Sequence, residues 1–187
     1  SEFISRLHHE GALLRVRAPR QFGKTSLLVR LMEEARRTGY LVLPLSMQQF
    51  DQETLQDKSK LMAQVNDAAA RSVKTATRWQ QEYELDLMDV KASSTSYWES
   101  HILNLTEMPI LLVIDEADLL FKHDKVSSDI FGLIRTWHEN SKVNPLWTKL
   151  RIAIAYSTDA LLPIQDINQS PFNVGEVKRL QEFTLKE

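Results

Sequence analysis

The sequence predicts an α/β fold of three layers: a mainly parallel sheet with helices on both faces. Three observations predict it. Short apolar runs with strand character alternate with stretches of helical periodicity along the chain. One such run, Ala12–Ala18, leads through a Gly-Lys-Thr turn straight into an amphipathic stretch. Another, Ile110–Ile114, is wholly apolar and ends on two acids, as a strand buried on both faces does.

The elements follow in order. "ALLRVRA" (Ala12–Ala18) reads as the first strand. "GKTSLLVRLMEEARRTG" (Gly23–Gly39) reads as a helix, because Leu27, Leu28, Leu31 and Ala35 recur at helical spacing and Gly39 is a stop signal. "YLVLPLS" (Tyr40–Ser46) is a second strand; Pro44 cannot donate to a ladder and places it at an edge. Between Glu53 and Leu85, the positions Leu61, Val65, Ala68, Ala69, Val73, Ala76 and Trp79 predict at least one long amphipathic helix. "SYWESHIL" (Ser96–Leu103) adds a short helix, and "ILLVIDE" (Ile110–Glu116) a buried strand. "DIFGLIRTWHE" (Asp129–Glu139) is helical, "LRIAIAYST" (Leu150–Thr158) is another buried strand, and "VKRLQEFTL" (Val177–Leu185) reads as a last strand. The sequence shows no internal repeat and no low-complexity segment.

Composition narrows the function classes. A chain of 187 residues fits one domain with a full core. A net charge of −2 gives no bulk reason to expect nucleic acid. The absence of cysteine excludes a disulfide framework and a thiolate metal site. The longest strongly apolar run, Ile110–Ile114, is too short to span a bilayer, and no secretory leader pattern opens the sequence. A cytoplasmic protein with no membrane partner is therefore expected. Ser1-Glu2-Phe3 reads as a cloning remnant.

The turn after the first strand carries the most chemistry. Against the phosphate-binding pattern G-x-x-x-x-G-K-[ST], the chain reads Ala18-Pro19-Arg20-Gln21-Phe22-Gly23-Lys24-Thr25. Backbone N–H groups of such a loop converge on phosphate oxygens, and the following helix adds the partial positive charge of its N-terminus. Pro19, Arg20, Gln21, Phe22, Gly23, Lys24, Thr25 and Ser26 are thus the candidate nucleotide-binding residues. Gly23 admits a close backbone approach, Lys24 reaches the β- and γ-phosphates, and Thr25 offers a hydroxyl to Mg²⁺. Ala18 in place of the usual first glycine costs little if its φ is negative.

Such a site needs a metal-holding acid, and Asp115 ends an apolar strand in the right order along the chain. Asp115 and Thr25 are the candidate metal ligands. Glu116 follows at once. Successive strand side chains diverge, so Glu116 serves as general base only by turning toward the γ-phosphate past the strand end. Ser157 and Thr158, at the end of the strand from Leu150, are the candidates to contact the γ-phosphate and water. Glu116, Lys24 and Thr158 are then the catalytic set.

These stretches resemble two families. "DEAD" (Asp115–Asp118) with "YST" is similar to the superfamily 2 helicases, but no second motor domain and no arginine-rich motif follow Thr158. A wider resemblance is to the AAA-like domain family of bacterial, notably cyanobacterial, P-loop proteins, related to AAA+ and STAND-type ATPases. It rests on "LLRVRAPRQFGKTSLLVRL", "ILLVIDEADLLF", "FGLIRTWHE", "LRIAIAYST" and "INQSPFNVG" followed by "LQEFTL", which span most of Gly11–Leu185. The resemblance implies a P-loop NTPase sheet in which the acid-bearing strand lies beside the strand ending at Ser157, with the P-loop strand next along. It implies ATP and Mg²⁺ as cofactors. It also implies a helical lid beyond "EFTL", so residues 1–187 read as one nucleotide-binding core, about 11–185, without that lid.

Several residues stand outside this scheme. Arg15 and Arg17 share one face of the first strand and are expected to pair with acids across the sheet. The arginine finger implied by the resemblance is not evident in "INQSPFNVG"; Arg135, Arg151 and Arg179 are the candidates to act across an assembly. A basic patch of Arg15, Arg17, Arg20, Arg36 and Arg37 would favour nucleic acid. The four tryptophans, Trp79, Trp98, Trp137 and Trp147, read as packing residues, and His8 and His9 as exposed. The functional alternatives are an ATPase remodeller, a nucleotide-dependent switch that hydrolyses slowly, and a nucleic-acid-associated ATPase of helicase or transposition-regulator type. Beyond ATP and ADP, the partners expected are a second copy of the chain or a protein reached through flanking domains.

Overall fold

The computed structural model describes residues 2–75, 79, 89–157 and 175–179. Its centre is a five-stranded sheet in the order β2-β3-β4-β1-β5. The strands are β1 (Leu13–Ala18), β2 (Leu41–Ser46), β3 (Ile110–Asp115), β4 (Leu150–Ser157) and β5 (Glu176–Arg179). Every pairing is parallel. Every residue of β4 is buried, as are the first five of β3, which is why both read as continuous apolar runs rather than alternating ones. β2 is an edge strand, and Pro44 on it is exposed, where its missing N–H costs no ladder bond.

Helices cover both faces. One carries α1 (Glu2–Ser5) and α2 (Lys24–Arg37). There Leu28, Leu31 and Ala35 of α2 bury against Leu14, Val16, Leu111, Val113, Ala153 and Ala155 of the sheet. Phe3 and Leu7 belong to the same core, with Leu7 fully buried. Phe3, in the Ser1-Glu2-Phe3 stretch that reads as a cloning remnant, contributes its ring to this packing. His8 is exposed as expected, 3.6 Å from Glu34 and edge-on to Tyr40.

The other face is thicker. It carries α3 (Gln52–Gln56), α4 (Lys58–Val73), α5 (Val90–Tyr97) and α6 (Asp124–Asn140). The predicted long helix is α4. It is separated from α3 at Asp57, which takes an extended backbone (φ −122°, ψ 107°) and caps α4 by accepting from the N–H groups of Ser59 and Lys60. Apolar spacing alone does not reveal that break. The continuation of the periodicity past Thr75 lies outside the described residues, Trp79 excepted. The helix expected from Ser96 starts earlier, at Val90, and winds on through a single wide turn at Trp98–Ile102. α6 likewise starts five residues before the predicted Asp129.

Of the two arginines expected to pair with acids, Arg15 is turned into the fold and meets a backbone carbonyl and a tyrosine. The Arg15 side chain is only 6% exposed, donates to the Gly175 carbonyl at 3.4 Å and lies against the Tyr156 hydroxyl. Burial, reinforced by the charge of Arg179, holds its pKa below the ordinary guanidinium value. Arg17 is opposite Arg179 in the register of β1 and β5.

Because all strands run the same way, the carboxyl ends of β1, β3 and β4 lie side by side at one edge of the three layers. In open α/β sheets this is where a ligand crevice forms.

Candidate functional site

The loop after β1 turns on two residues of positive φ, Gln21 (63°) and Gly23 (73°). Gly23 is the residue before the first turn of α2, and no side chain caps that end. The first N–H groups of the helix are therefore available to an anion. A Cβ built at Gly23 would touch no protein atom, so the constraint the protein itself imposes there is the left-handed backbone. Ala18 explains its own identity. It is the last residue of β1, fully buried and paired with Ser157 in register, an extended position with no need of glycine.

Lys24 opens α2 and folds its ammonium back along the loop, donating to the carbonyls of Ala18 at 3.1 Å and Pro19 at 2.7 Å. Pro19 thus enters the site through its carbonyl. Thr25 follows, and its hydroxyl donates to Asp115 Oδ2 at 3.0 Å. A hydroxyl and a carboxylate at this separation suit Mg²⁺, since two adjacent ligands of an octahedral ion at about 2.1 Å sit about 3 Å apart. Among the described residues no group of three or more His, Cys, Asp or Glu side chains could hold a metal by itself. An ion here would take its remaining ligands from phosphate and water.

Asp115 and Glu116 diverge as their strand positions require. Asp115 Oδ1 accepts from the Glu116 N–H at 2.8 Å. Glu116 then takes the left-handed conformation (φ 56°, ψ 37°), which is uncommon outside glycine. That turn swings its carboxylate to the end of β2, where Oε2 accepts from the Ser46 hydroxyl at 2.7 Å. Two residues on, Asp118 Oδ1 accepts from the backbone N–H of Ser157 at 3.0 Å.

A cavity of about 710 Å³ joins these pieces. Arg20, Gln21, Phe22, Gly23, Lys24, Thr25 and Ser26 form one wall, and Asp115, Glu116, Asp118 and Ser157 the floor. Ser157 is only 2% exposed yet reaches the cavity. Thr158 lies outside the described residues. The far wall, Gln48, Phe50, Gln52, Leu55 and Leu119, was not singled out from the sequence, nor was Ser46. Ser46 was findable, because it ends a strand in the same way as Asp115 and Ser157. The far wall lies in the turn after Ser46, in α3 and after Glu116, where no motif marks it. The lining sets two basic side chains, Arg20 and Lys24, against three carboxylates. A polyphosphate fits such a lining best when a cation stands between it and the acids.

Other sequence candidates sit elsewhere. Arg151 is 7% exposed, stacks over the Tyr40 ring at 5.4 Å and donates to the carbonyls of Leu7 and Thr148. Its guanidinium is engaged in packing within the chain. The five-arginine patch does not form. Arg15 is inside the sheet, Arg20 is at the cavity, and Arg36 and Arg37 end α2, which at 14 residues is about 20 Å long. Arg37 is also held by Glu34 through two hydrogen bonds of 2.9 and 2.7 Å.

No helix among the described residues is long and apolar enough to cross a membrane. A search of curated proteins gives no match. Solved structures share the fold. The Aeropyrum pernix ORC2 protein in its ADPNP–ADP complexes superposes with a TM-score of 0.62 at 14% identity, over 96% of this chain and 45% of that one. The A. pernix ORC1 protein in complex with DNA gives 0.55 at 17% identity, over 92% and 40%. The replication initiator DnaA bound to AMPPCP and single-stranded DNA gives 0.51 at 17%, over 97% and 44%. The chain thus spans less than half the length of each. At these identities the likeness is one of fold, that of the AAA+ P-loop NTPases, and it agrees with the strand order and the loop between β1 and α2. A family model described as AAA-like domain matches residues 1–187, and the chain belongs to that family.

Proposed function

We propose that the chain is the ATP- and Mg²⁺-binding core of an ATPase that hydrolyses slowly and acts as a nucleotide-dependent switch or remodelling module. One observation carries the reading. Lys24, Thr25, Asp115 and Glu116 come from two separate stretches of sequence and line one cavity at the carboxyl end of the sheet.

The chemistry follows from the donors. Lys24 exchanges its two loop carbonyls for β- and γ-phosphate oxygens, while the first N–H groups of α2 take up phosphate at the helix N-terminus. Thr25, with Asp115 beside it, would hold Mg²⁺, which when bound would supply neutralisation of the phosphate charge. Glu116 releases the Ser46 hydroxyl and orients a water for attack on the γ-phosphorus, taking its proton. Ser157, which lines the cavity floor, and Thr158, which follows it in sequence, would contact the γ-phosphate and water. With Arg151 buried in packing, Arg135 and Arg179 are the remaining finger candidates from the sequence. A core lacking a supplied arginine forgoes about 10³–10⁵ in rate, which supports slow turnover. The dispersal of Arg15, Arg20, Arg36 and Arg37 weighs against the nucleic-acid-associated alternative. The DNA bound by two of the structural neighbours is a property of those proteins.

The test separates binding from chemistry. Glu116→Gln keeps shape and removes the base. It is expected to bind ATP as the wild type does while phosphate release falls about 10²-fold or more. Hydrolysis at the wild-type rate would remove Glu116 from the role.

A further inference from the structure

The acid-bearing loop is tied to the neighbouring strand by a side chain the reaction scheme does not use. β3 and β4 pair in register only as far as Ile114 and Ile154, after which β3 leaves the sheet through the left-handed turn at Glu116. β4 runs on to Ser157, paired there with Ala18 of β1 on its other side. On the vacated side, the Ser157 N–H points where β3 would have supplied a carbonyl. Asp118 Oδ1 takes that place, accepting from it at 3.0 Å. Ser157 is 2% exposed, so removing this acceptor takes a hydrogen bond from a backbone donor that lies away from bulk water.

We infer that Asp118 is a positioning residue: its carboxylate replaces the missing β3–β4 ladder bond and so fixes Glu116 and Ser157 relative to each other across the cavity floor. This rests on the proposed ATPase reading for its catalytic consequence, although the tie itself does not. The connection is short. Asp118 is two residues from Glu116, in the tight turn Ala117–Lys122, and Ala117 and Leu120 of that turn are buried in the core beneath. Glu116 is therefore held from three sides: its N–H by Asp115, its carboxylate by Ser46, and the backbone after it by Asp118. The first two bonds involve groups the reaction must recruit. Only the third can stay intact through a catalytic cycle, because Asp118 meets a backbone N–H and not a reacting group. A strained residue persists only where its surroundings over-determine it. Asp118 supplies the part of that constraint that nucleotide does not displace.

The role requires an acceptor oxygen and not a charge, which yields a decisive pair of variants. Asp118→Ala removes the acceptor; Asp118→Asn keeps it, since the amide oxygen can take the same N–H. Steady-state ATP hydrolysis and amide hydrogen exchange are measured on both. In Asp118→Ala, kcat is expected to fall about 10²-fold with KM little changed, the size that a misplacement of about 1 Å produces. The Ser157 amide, protected in the wild type, is expected to exchange at least about tenfold faster in the same variant. Asp118→Asn is expected to restore both. Asp118→Asn as slow as Asp118→Ala would overturn the inference, because it would make the charge of Asp118 part of the chemistry. So would an Asp118→Ala protein with wild-type kcat. A wild type that binds ATP without turnover would defeat the ATPase reading alone. The exchange comparison would then decide the tie, and equal Ser157 protection in wild type and Asp118→Ala would refute it.

Discussion

The two ends of the sheet are built on opposite principles. At the amino end of β4 sits a block of three indoles. Trp98 and Trp137 have ring centroids 4.7 Å apart, and Trp137 stacks on Trp147 at 5.4 Å. All three are at most 2% exposed. Each indole N–H has its own acceptor: Asn66 for Trp98, Thr95 for Trp137 and Glu99 for Trp147, at 2.7–2.9 Å. At the carboxyl end the backbone takes left-handed turns at Gln21, Gly23 and Glu116, and polar side chains are bonded in ways a ligand can replace. The contrast separates two tasks. The indole block pairs its polar atoms and gains from large apolar contact, so it holds the fold. The other end keeps its donors and acceptors exchangeable and carries backbone strain that the block and the sheet must offset.

If that division holds, damage at one end should not register at the other. Trp137→Ala empties the centre of the block and should cost about 3–5 kcal/mol in chemical denaturation, as deletion of a buried large aromatic does. The folded fraction should still bind ATP with wild-type affinity. A matching loss of affinity would mean that the block helps shape the cavity, and the separation would fail.

A smaller effect sharpens the same comparison within the helical layer. Asp129 of α6 accepts from Lys58 of α4 at 2.9 Å and pairs with Lys91 of α5 at 3.1 Å, joining three helices. Burial by itself would raise the carboxyl of Asp129, but hydrogen bonds from the two lysines hold it below its ordinary value. A depressed carboxylate stabilises the fold above its unfolded pKa, and that contribution disappears as pH falls through its folded value. Asp129→Asn should therefore lower stability near neutral pH by about 0.2–1 kcal/mol, the range for partly exposed pairs. The wild type and the variant should converge in stability once pH falls below the depressed folded pKa of Asp129. Denaturant titrations from neutral to acidic pH check this. A difference that persists in acid would assign the loss to packing.

Much of the fold was legible because β3 and β4 are apolar on both faces and the main helices are amphipathic. The order P-loop, acid pair, polar strand end was equally legible, since a parallel sheet brings those points together. Other features gave no such signal. α1 is only four residues long, too short to show a period, so the packing of Phe3 gave no signal. Asp57 breaks the helical stretch through a cap while apolar spacing continues across it. Arg151 stands in a strand buried on both faces, where strand position does not distinguish an arginine stacked on Tyr40 from one free to reach a neighbour. The Ser46–Glu116 and Asp118–Ser157 bonds join residues 70 and 39 positions apart and depend on where β3 leaves the sheet, which no local pattern encodes.

If the loop from Ala18 to Ser26 binds the phosphates of a nucleotide, titration calorimetry of ATP with Mg²⁺ will tell the wild type from Lys24→Ala. The wild type should bind. The variant should lose at least about tenfold in affinity, equivalent to roughly 1.4 kcal/mol, because a charge-assisted contact to phosphate is gone. Equal affinity in the two proteins, or no binding by the wild type, would contradict the account and reduce the loop to a turn between a strand and a helix.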